Sequence, residues 1–309
     1  DPPGEIIFNG NTGTGSPQVV SGSLLTSNGF GILRIVGNNT DVRFDSFFDV
    51  EQWFIGNDGN GTFTSPTVDL NTIGRPSEIL ENRGTFSGTG LLRIFGDATI
   101  RGTSDITFGR FDLFGSNRSV TIDGIQVRIT SDFDDNTSES SITTQNNGTL
   151  VLDAGTEPFL NGDLTITNGT FELRGTFPAG GEFQLGGDLT IGSSGTATLN
   201  GNPIVFNSGN TQSVGGGGSD VSLSSITVQN STVLQASDNL SVSGDLTVNS
   251  GSTLDLQTNG VALTLDGTSS IGGAGTRSIA DLTIAAGADV DAPDGLNLSG
   301  DLTVNGSLD

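Results

Sequence analysis

A five-residue block that returns at a nearly fixed interval limits what this chain can fold into more than any other feature. Gly187-Asp188-Leu189-Thr190-Ile191 recurs as Gly244-Asp245-Leu246-Thr247-Val248 and again as Gly300-Asp301-Leu302-Thr303-Val304. The aspartates lie 57 (245 − 188) and 56 (301 − 245) residues apart. The interior repeats in the same register, with Leu199 matching Leu256, Asn202 matching Asn259 and Ile204 matching Val261. Gly215, Gly216 and Gly218 return as Gly272, Gly273 and Gly275. A fixed period of this kind marks a fold made by stacking one unit on the next, each contacting only its neighbours.

The unit itself is short strands separated by turns. Leu164-Thr165-Ile166-Thr167, Thr196-Ala197-Thr198-Leu199 and Ala262-Leu263-Thr264-Leu265 alternate apolar and β-branched or polar residues between Gly, Asn and Ser. No helical pattern competes with them. An interval of 56–57 residues has room for three coils of about 19 residues, each with three strands and three bends. A strict six-residue apolar beat, which a left-handed hexapeptide solenoid would need, is missing. The expected fold is therefore all-β, a single-stranded parallel β-helix (β-solenoid) of right-handed sense. On this register Leu189, Leu246 and Leu302 should all face the lumen three coils apart, with Ile191, Val248 and Val304 beside them.

The first half looks like a diverged form of the same plan. Gly31-Ile32-Leu33-Arg34-Ile35-Val36-Gly37 resembles Gly90-Leu91-Leu92-Arg93-Ile94-Phe95-Gly96. Thirteen of the 18 Phe, the single Trp53 and nine of the 11 Arg fall within residues 1–150. Bulky Phe implies a wider lumen there, so 1–150 is expected to hold an N-terminal cap and irregular coils, and 151–309 the regular solenoid. The opening Asp1-Pro2-Pro3 suggests a mature N-terminus from which an export signal has been removed. The final block, near Asp309, carries no polar capping segment, and an uncapped solenoid edge invites another strand. Ile6, Ile7 and Phe8 at one end and Leu302, Val304 and Leu308 at the other are the candidate surfaces for head-to-tail self-association.

Composition removes much chemistry. The chain has no Cys, His, Met, Tyr or Lys. It therefore has no disulfide, no imidazole or thiolate for a zinc site, and no imidazole base, thiolate nucleophile or Schiff-base amine. Paired carboxylates remain. Asn39-Thr40-Asp41 and Asp134-Asp135 resemble two fragments of the pectin-hydrolase signature, but 93 residues (134 − 41) separate them and the His- and Lys-bearing fragments are missing. The net charge of −24 repels nucleic acid and anionic membranes, and no segment approaches the ~18 apolar residues of a spanning helix. Acidity on this scale suits a saline habitat or divalent cations. Asp132, Asp134, Asp135 and Glu139 form an oxygen-rich segment that could hold Ca²⁺, with a solvated loop as the plainer interpretation. Gly215-Gly216-Gly217-Gly218-Ser219-Asp220 approaches a calcium-roll nonapeptide, but it is not iterated and reads as a bend. The Gly-Asp before each strand is structural by default, Gly for a bend and Asp to accept nearby amides. Triplets such as Asn60-Gly61-Thr62 and Asn147-Gly148-Thr149 fit an N-glycosylation pattern that so Asn-rich a chain also produces by chance.

Across residues 162–309 the Gly-Asp-Leu-Thr blocks, Gln212-Ser213-Val214-Gly215-Gly216 and Ser225-Ile226-Thr227-Val228 resemble the repeats of large bacterial surface and secreted proteins. These are β-helices of the filamentous-haemagglutinin and autotransporter-adhesin style. The resemblance implies a passive extracellular scaffold or adhesin and carries over no binding residues. The expected function is a non-catalytic extracellular structural protein without a cofactor, a subunit of a surface fibre assembling end to end. The alternatives are the stalk or passenger of an adhesin that binds surface glycans, and a β-helix polysaccharide-degrading enzyme.

Overall fold

A computed structural model describes residues 97–309 apart from 114–116, 136–139, 154–157, 175–181, 219 and 294–295, and before residue 97 the strand segments alone. Every described element is a strand, and every described strand pairing is parallel. The chain is a β-solenoid in which each strand finds its neighbour one coil later. Two compact units are present, Asp1–Glu157 and Pro158–Asp309.

In the first unit the main ladder runs from Glu5–Asn9 through Phe30–Val36 to Phe48–Ile55. Phe48–Ile55 then pairs with both Thr67–Leu70 and Glu78–Asn82, so one long strand supports two shorter ones. A separate four-stranded ladder joins Gln18–Val20, Asp41–Phe44, Thr62–Thr64 and Thr85–Ser87. Phe occupies the lumen as expected: Phe108, Phe111 and Phe133 are fully buried, and Phe111 stacks on Phe133 at 5.6 Å. Such aromatic pairs bury large apolar area in a fixed geometry. The register slips between Phe108 and Arg110, where the ladder to Gln126–Asp135 resumes one residue out of step. Three Arg residues here tie coil to coil on the outside: Arg101 to Glu81 at 2.9 Å, Arg110 to Asp132 at 3.1 Å and Arg128 to Asp153 at 2.8 Å.

The second unit is regular. Its strands visit three sides in rotation as far as Asp289–Asp291. One side carries Leu164–Ile166, Leu189–Ile191, Thr211–Gly215, Val233–Ala236, Thr253–Asp255 and Thr276–Ser278. The next carries Phe183–Leu185, Pro203–Phe206, Ser225–Val228, Leu246–Val248 and Thr268–Gly272. The third carries Val221–Leu223, Leu240–Val242, Ala262–Leu265, Asp281–Ile284 and Leu302–Val304. Inward residues form continuous apolar columns such as Ile204, Ile226, Leu246 and Ile271, each at most 3% exposed.

This arrangement corrects the expected register. Coils in this unit are 18 (Val290 to Leu308) to 26 (Thr170 to Thr196) residues long, not a uniform 19. Leu189–Ile191 and Leu246–Val248 are the twenty-first and twenty-ninth strands, eight steps apart, and three steps make a coil. The long repeat therefore spans two and two-thirds coils rather than three. Leu189, Leu246 and Leu302 lie on three different sides and never share a column. Leu189 and Leu246 are lumen residues at 1% and 0% exposure, whereas Leu302 is 50% exposed. Val248 is buried, Ile191 is intermediate and Val304 is 45% exposed. By contrast, Gly162-Asp163-Leu164-Thr165-Ile166 stacks directly beside Gly187-Asp188-Leu189-Thr190-Ile191, because 25 residues (189 − 164) make one whole coil.

Candidate assembly surface

A polar residue sits just before the first inward residue of many strands. In an outward position it cannot enter the lumen, but it can reach the strand stacked on it. The main-chain N–H of Asp188 donates to Asp163 Oδ1 at 2.8 Å, and that of Ser213 donates to Asp188 Oδ1 at 2.7 Å. On the second side the N–H of Asp245 donates to Ser225 Oγ at 3.1 Å, and Ser270 donates from both N–H and Oγ to Asp245 Oδ1 at 2.9 Å. On the third, the Ala262 N–H donates to Asn239 Oδ1 at 3.0 Å and the Asp301 N–H to Asp281 Oδ1 at 2.7 Å. The first unit repeats the device with Ser119 on Asp97 and Gln126 on Asp105. Each of these acceptors reaches forward, onto the coil that follows in sequence. The amide expected to be nearby is instead 20 to 25 residues away, so the Gly-Asp block is a coil-to-coil clamp.

The glycine corners are clamped too, in two opposite ways. Asp238 Oδ2 accepts the Gly216 N–H at 2.6 Å and more weakly that of Gly217. The Gly216 amide holds the Asp238 carboxyl below the ordinary carboxylate range against a lesser opposing push from burial, with Gly217, Ser237 and Gly218 adding to the lowering. The Gly216-Gly217 corner thus presents its amides to a carboxylate on the next coil. Its repeat partner around Gly272 and Gly273 presents carbonyls, and Arg277 Nη2 donates to the oxygens of both. Burial pushes the Arg277 guanidinium down. Corner carbonyls elsewhere are met by buried amides: Gln212 Nε2 donates to Leu185 O at 3.0 Å, and Asn202 Nδ2 to Leu199 O at 2.7 Å.

The oxygen-rich segment proposed for Ca²⁺ is not a protruding loop. Asp132, Asp134 and Asp135 lie in the strand Gln126–Asp135, in register with Arg110, Asp112 and Leu113. Asp132 pairs with Arg110, Asp135 is fully buried, and Glu139 lies outside the described residues. Among the described residues no three acidic side chains converge as a metal site would require.

Among the described residues three large apolar side chains are exposed, Ile7 at 53%, Leu302 at 50% and Val304 at 45%. All three were candidates for self-association on sequence grounds. Leu302 and Val304 continue the columns of Leu282 and Ile284, which are fully buried, and among the described residues Leu302–Val304 has one strand neighbour. Leu308 is half-buried and pairs with Val290. Ile6 and Phe8 belong to the strand Glu5–Asn9, but their side chains lie outside the described residues.

Fold and surface together define a parallel β-solenoid with three strands per coil and side-chain clamps between coils. Set against known proteins, the chain matches no family model, no curated protein and no solved structure.

Proposed function

We propose that this protein is a non-catalytic structural β-solenoid of the cell exterior, a subunit of a surface fibre that joins end to end. The observation that carries the proposal is the apolar coil face at Leu302 and Val304, which extends two buried columns without being covered. Covering half-exposed Leu and Val side chains recovers apolar area at about 25 cal/mol per Å². The open strand edge beside them offers main-chain groups to a further parallel strand. A contact between unlike ends that does not close into a ring propagates. The polar side chains that can be followed support a scaffold role, because they hold coil to coil. An adhesin stalk uses the same face differently, covering it with another coil of a longer chain.

Electron microscopy and light scattering of the 309-residue protein test the proposal. The expected result is concentration-dependent filaments that Leu302→Asp together with Val304→Asp abolishes while far-ultraviolet circular dichroism is unchanged. A protein monodisperse at high concentration rejects the fibre in favour of the stalk. Cleavage of an acidic polysaccharide by the purified protein would reject the non-catalytic role.

A further inference from the structure

One bend in the first unit is open to a chemistry that most others resist. Asn146 and Asn147, at φ +51° and +64°, turn the chain between the strands Ser141–Gln145 and Thr149–Asp153. Asn enters this left-handed region more readily than most residues. The next position must be glycine, because a Cβ on Gly148 would run into Ile122 O. The fold therefore dictates Asn-Gly here, the pair in which a side-chain amide is least shielded from the main-chain nitrogen that follows it. Apart from Asn305-Gly306 in the final corner, the Asn-Gly pairs at the other described bends are held. Asn200 Nδ2 donates to Leu173 O at 2.5 Å and Asn259 Nδ2 to Ala236 O at 2.8 Å. Asn161 and Asn168, which also precede glycine, are engaged as well. Even Asn146 donates, to Asp123 Oδ1 at 2.8 Å. Asn147 is exposed, and its side chain has no partner among the described residues.

We propose that Asn147 is a site of spontaneous covalent modification, deamidating through a succinimide formed with Gly148. The Gly148 nitrogen attacks Asn147 Cγ, and Nδ2 departs as ammonia, which carries away the proton of the Gly148 N–H. Water then opens the imide. Cleavage at the side-chain carbonyl leaves Asp, and cleavage at the main-chain carbonyl leaves the β-linked isomer. The Gly148 N–H donates to Gln145 O at 2.7 Å, so the bend must open locally before attack. Gly260 N–H is held alike by Gln257 O at 3.0 Å, and Gly201 N–H by Ser224 Oγ at 3.3 Å. The main chain thus restrains all three pairs, and the free side chain sets Asn147 apart. The β-linked product inserts an extra main-chain carbon between strands fixed in register, Ile122 with Thr144 and Val127 with Leu150. It should loosen Thr149–Asp153. This reactivity is independent of the fibre proposal.

The full-length protein, aged at mildly alkaline pH and mapped by mass spectrometry with isoaspartyl methylation to mark the β-linked product, tests the site. Asn147 should convert about tenfold faster than Asn200 or Asn259, the factor that one net hydrogen bond on each competing side chain supplies. In urea the three sites should convert at similar rates, because glycine follows each and only the fold separates them. Equal rates in the native protein refute the site. A lead for Asn147 that persists undiminished in urea refutes it too, since flanking sequence would then set the order. Amide exchange in Thr149–Asp153 should quicken as the β-linked product accumulates, and exchange that stays unchanged refutes the loosening while the site stands.

Discussion

The three leucines of the repeated block offer a sharp test, because one motif has been placed in unequal surroundings. Leu246 is fully buried between Ile226 and Ile271, and Leu189 is 1% exposed between Leu164 and Val214. Leu302 stacks only on Leu282 and is 50% exposed. Replacing Leu246 by Ala removes roughly three methylene-sized groups, about 2.4 kcal/mol of transfer energy at ~0.8 kcal/mol each. The two stacked neighbours cannot both collapse into the space, so a cavity contribution brings the cost to about 3–4 kcal/mol. Leu189→Ala should match it. Leu302→Ala forfeits half the transfer energy and opens no closed cavity, so about 1 kcal/mol is expected in the unassembled protein. Repeat arrays can open coil by coil, and one melting midpoint would blur the comparison. Native-state hydrogen exchange of the amides in Thr268–Gly272, Thr211–Gly215 and Asp281–Ile284, the strands stacked on Leu246, Leu189 and Leu302, reads each site locally instead. Thr247→Ser, on the outward side of the same strand, should change exchange by less than ~0.5 kcal/mol. Equal costs at Leu246 and Leu302, or at Leu246 and Thr247, would show that the inward columns have been placed wrongly.

The carboxyl of Asp238 lies below its ordinary value in the folded chain, so its contribution is fully present above the unfolded value near pH ~4 and is lost as pH falls through the folded one. The difference in thermal midpoint between wild type and Asp238→Asn should accordingly shrink on titration from pH ~6 to ~2.5, and a widening gap would contradict the assignment. Gly273 has φ +89° and a Cβ there would lie 2.2 Å from Val248 O, whereas Gly287 at φ +84° faces open space. Gly273→Ala should therefore cost at least ~2 kcal/mol in urea denaturation and Gly287→Ala nearer 1, the backbone penalty alone. Excising residues 188–244 joins Gly187 to Asp245 and sets Leu246 on Leu164, so the shortened protein should fold with unchanged circular dichroism per residue. An insoluble or unstructured product would mean that the long repeat is not a self-sufficient length of wall.

Alternation was enough to place Leu189 and Leu246 inward and Thr190 and Thr247 outward, because burial in a strand follows a period of two whatever lies beyond. Coil length was not readable in the same way. The 57-residue interval suggests a whole number of coils, but stacking requires only that a strand be replaced by another strand, and eight strands satisfy that without closing a turn. The amide-accepting role of Asp188 and Asp245 is legible in the sequence, but their partners are not, for a related reason. Their partners Ser213 and Ser270 are each 25 residues on, while coils in the unit run from 18 to 26 residues, so no fixed spacing marks the pair. Asp132 and Asp135 were misplaced as loop residues because density of charge outweighed the alternation around Phe133. The two glycine corners show a limit of motif reading. Gly216 and Gly273 are equivalent in sequence, yet one corner offers its amides and the other its carbonyls, according to whether a carboxylate or a guanidinium is at hand.

A wall that turns through two and two-thirds coils per long repeat also decides what duplication can build on its exterior. Copies made at the long interval point a third of a revolution apart, so any loop, glycan or epitope they carry is spread around the circumference. Copies made at the single-coil interval, as with Asp163 and Asp188, line up along one side. Lengthening by long blocks therefore yields a body with no front or back, equally presentable from any direction of approach. A one-sided recognition strip on such a wall would have to arise by repeating single coils.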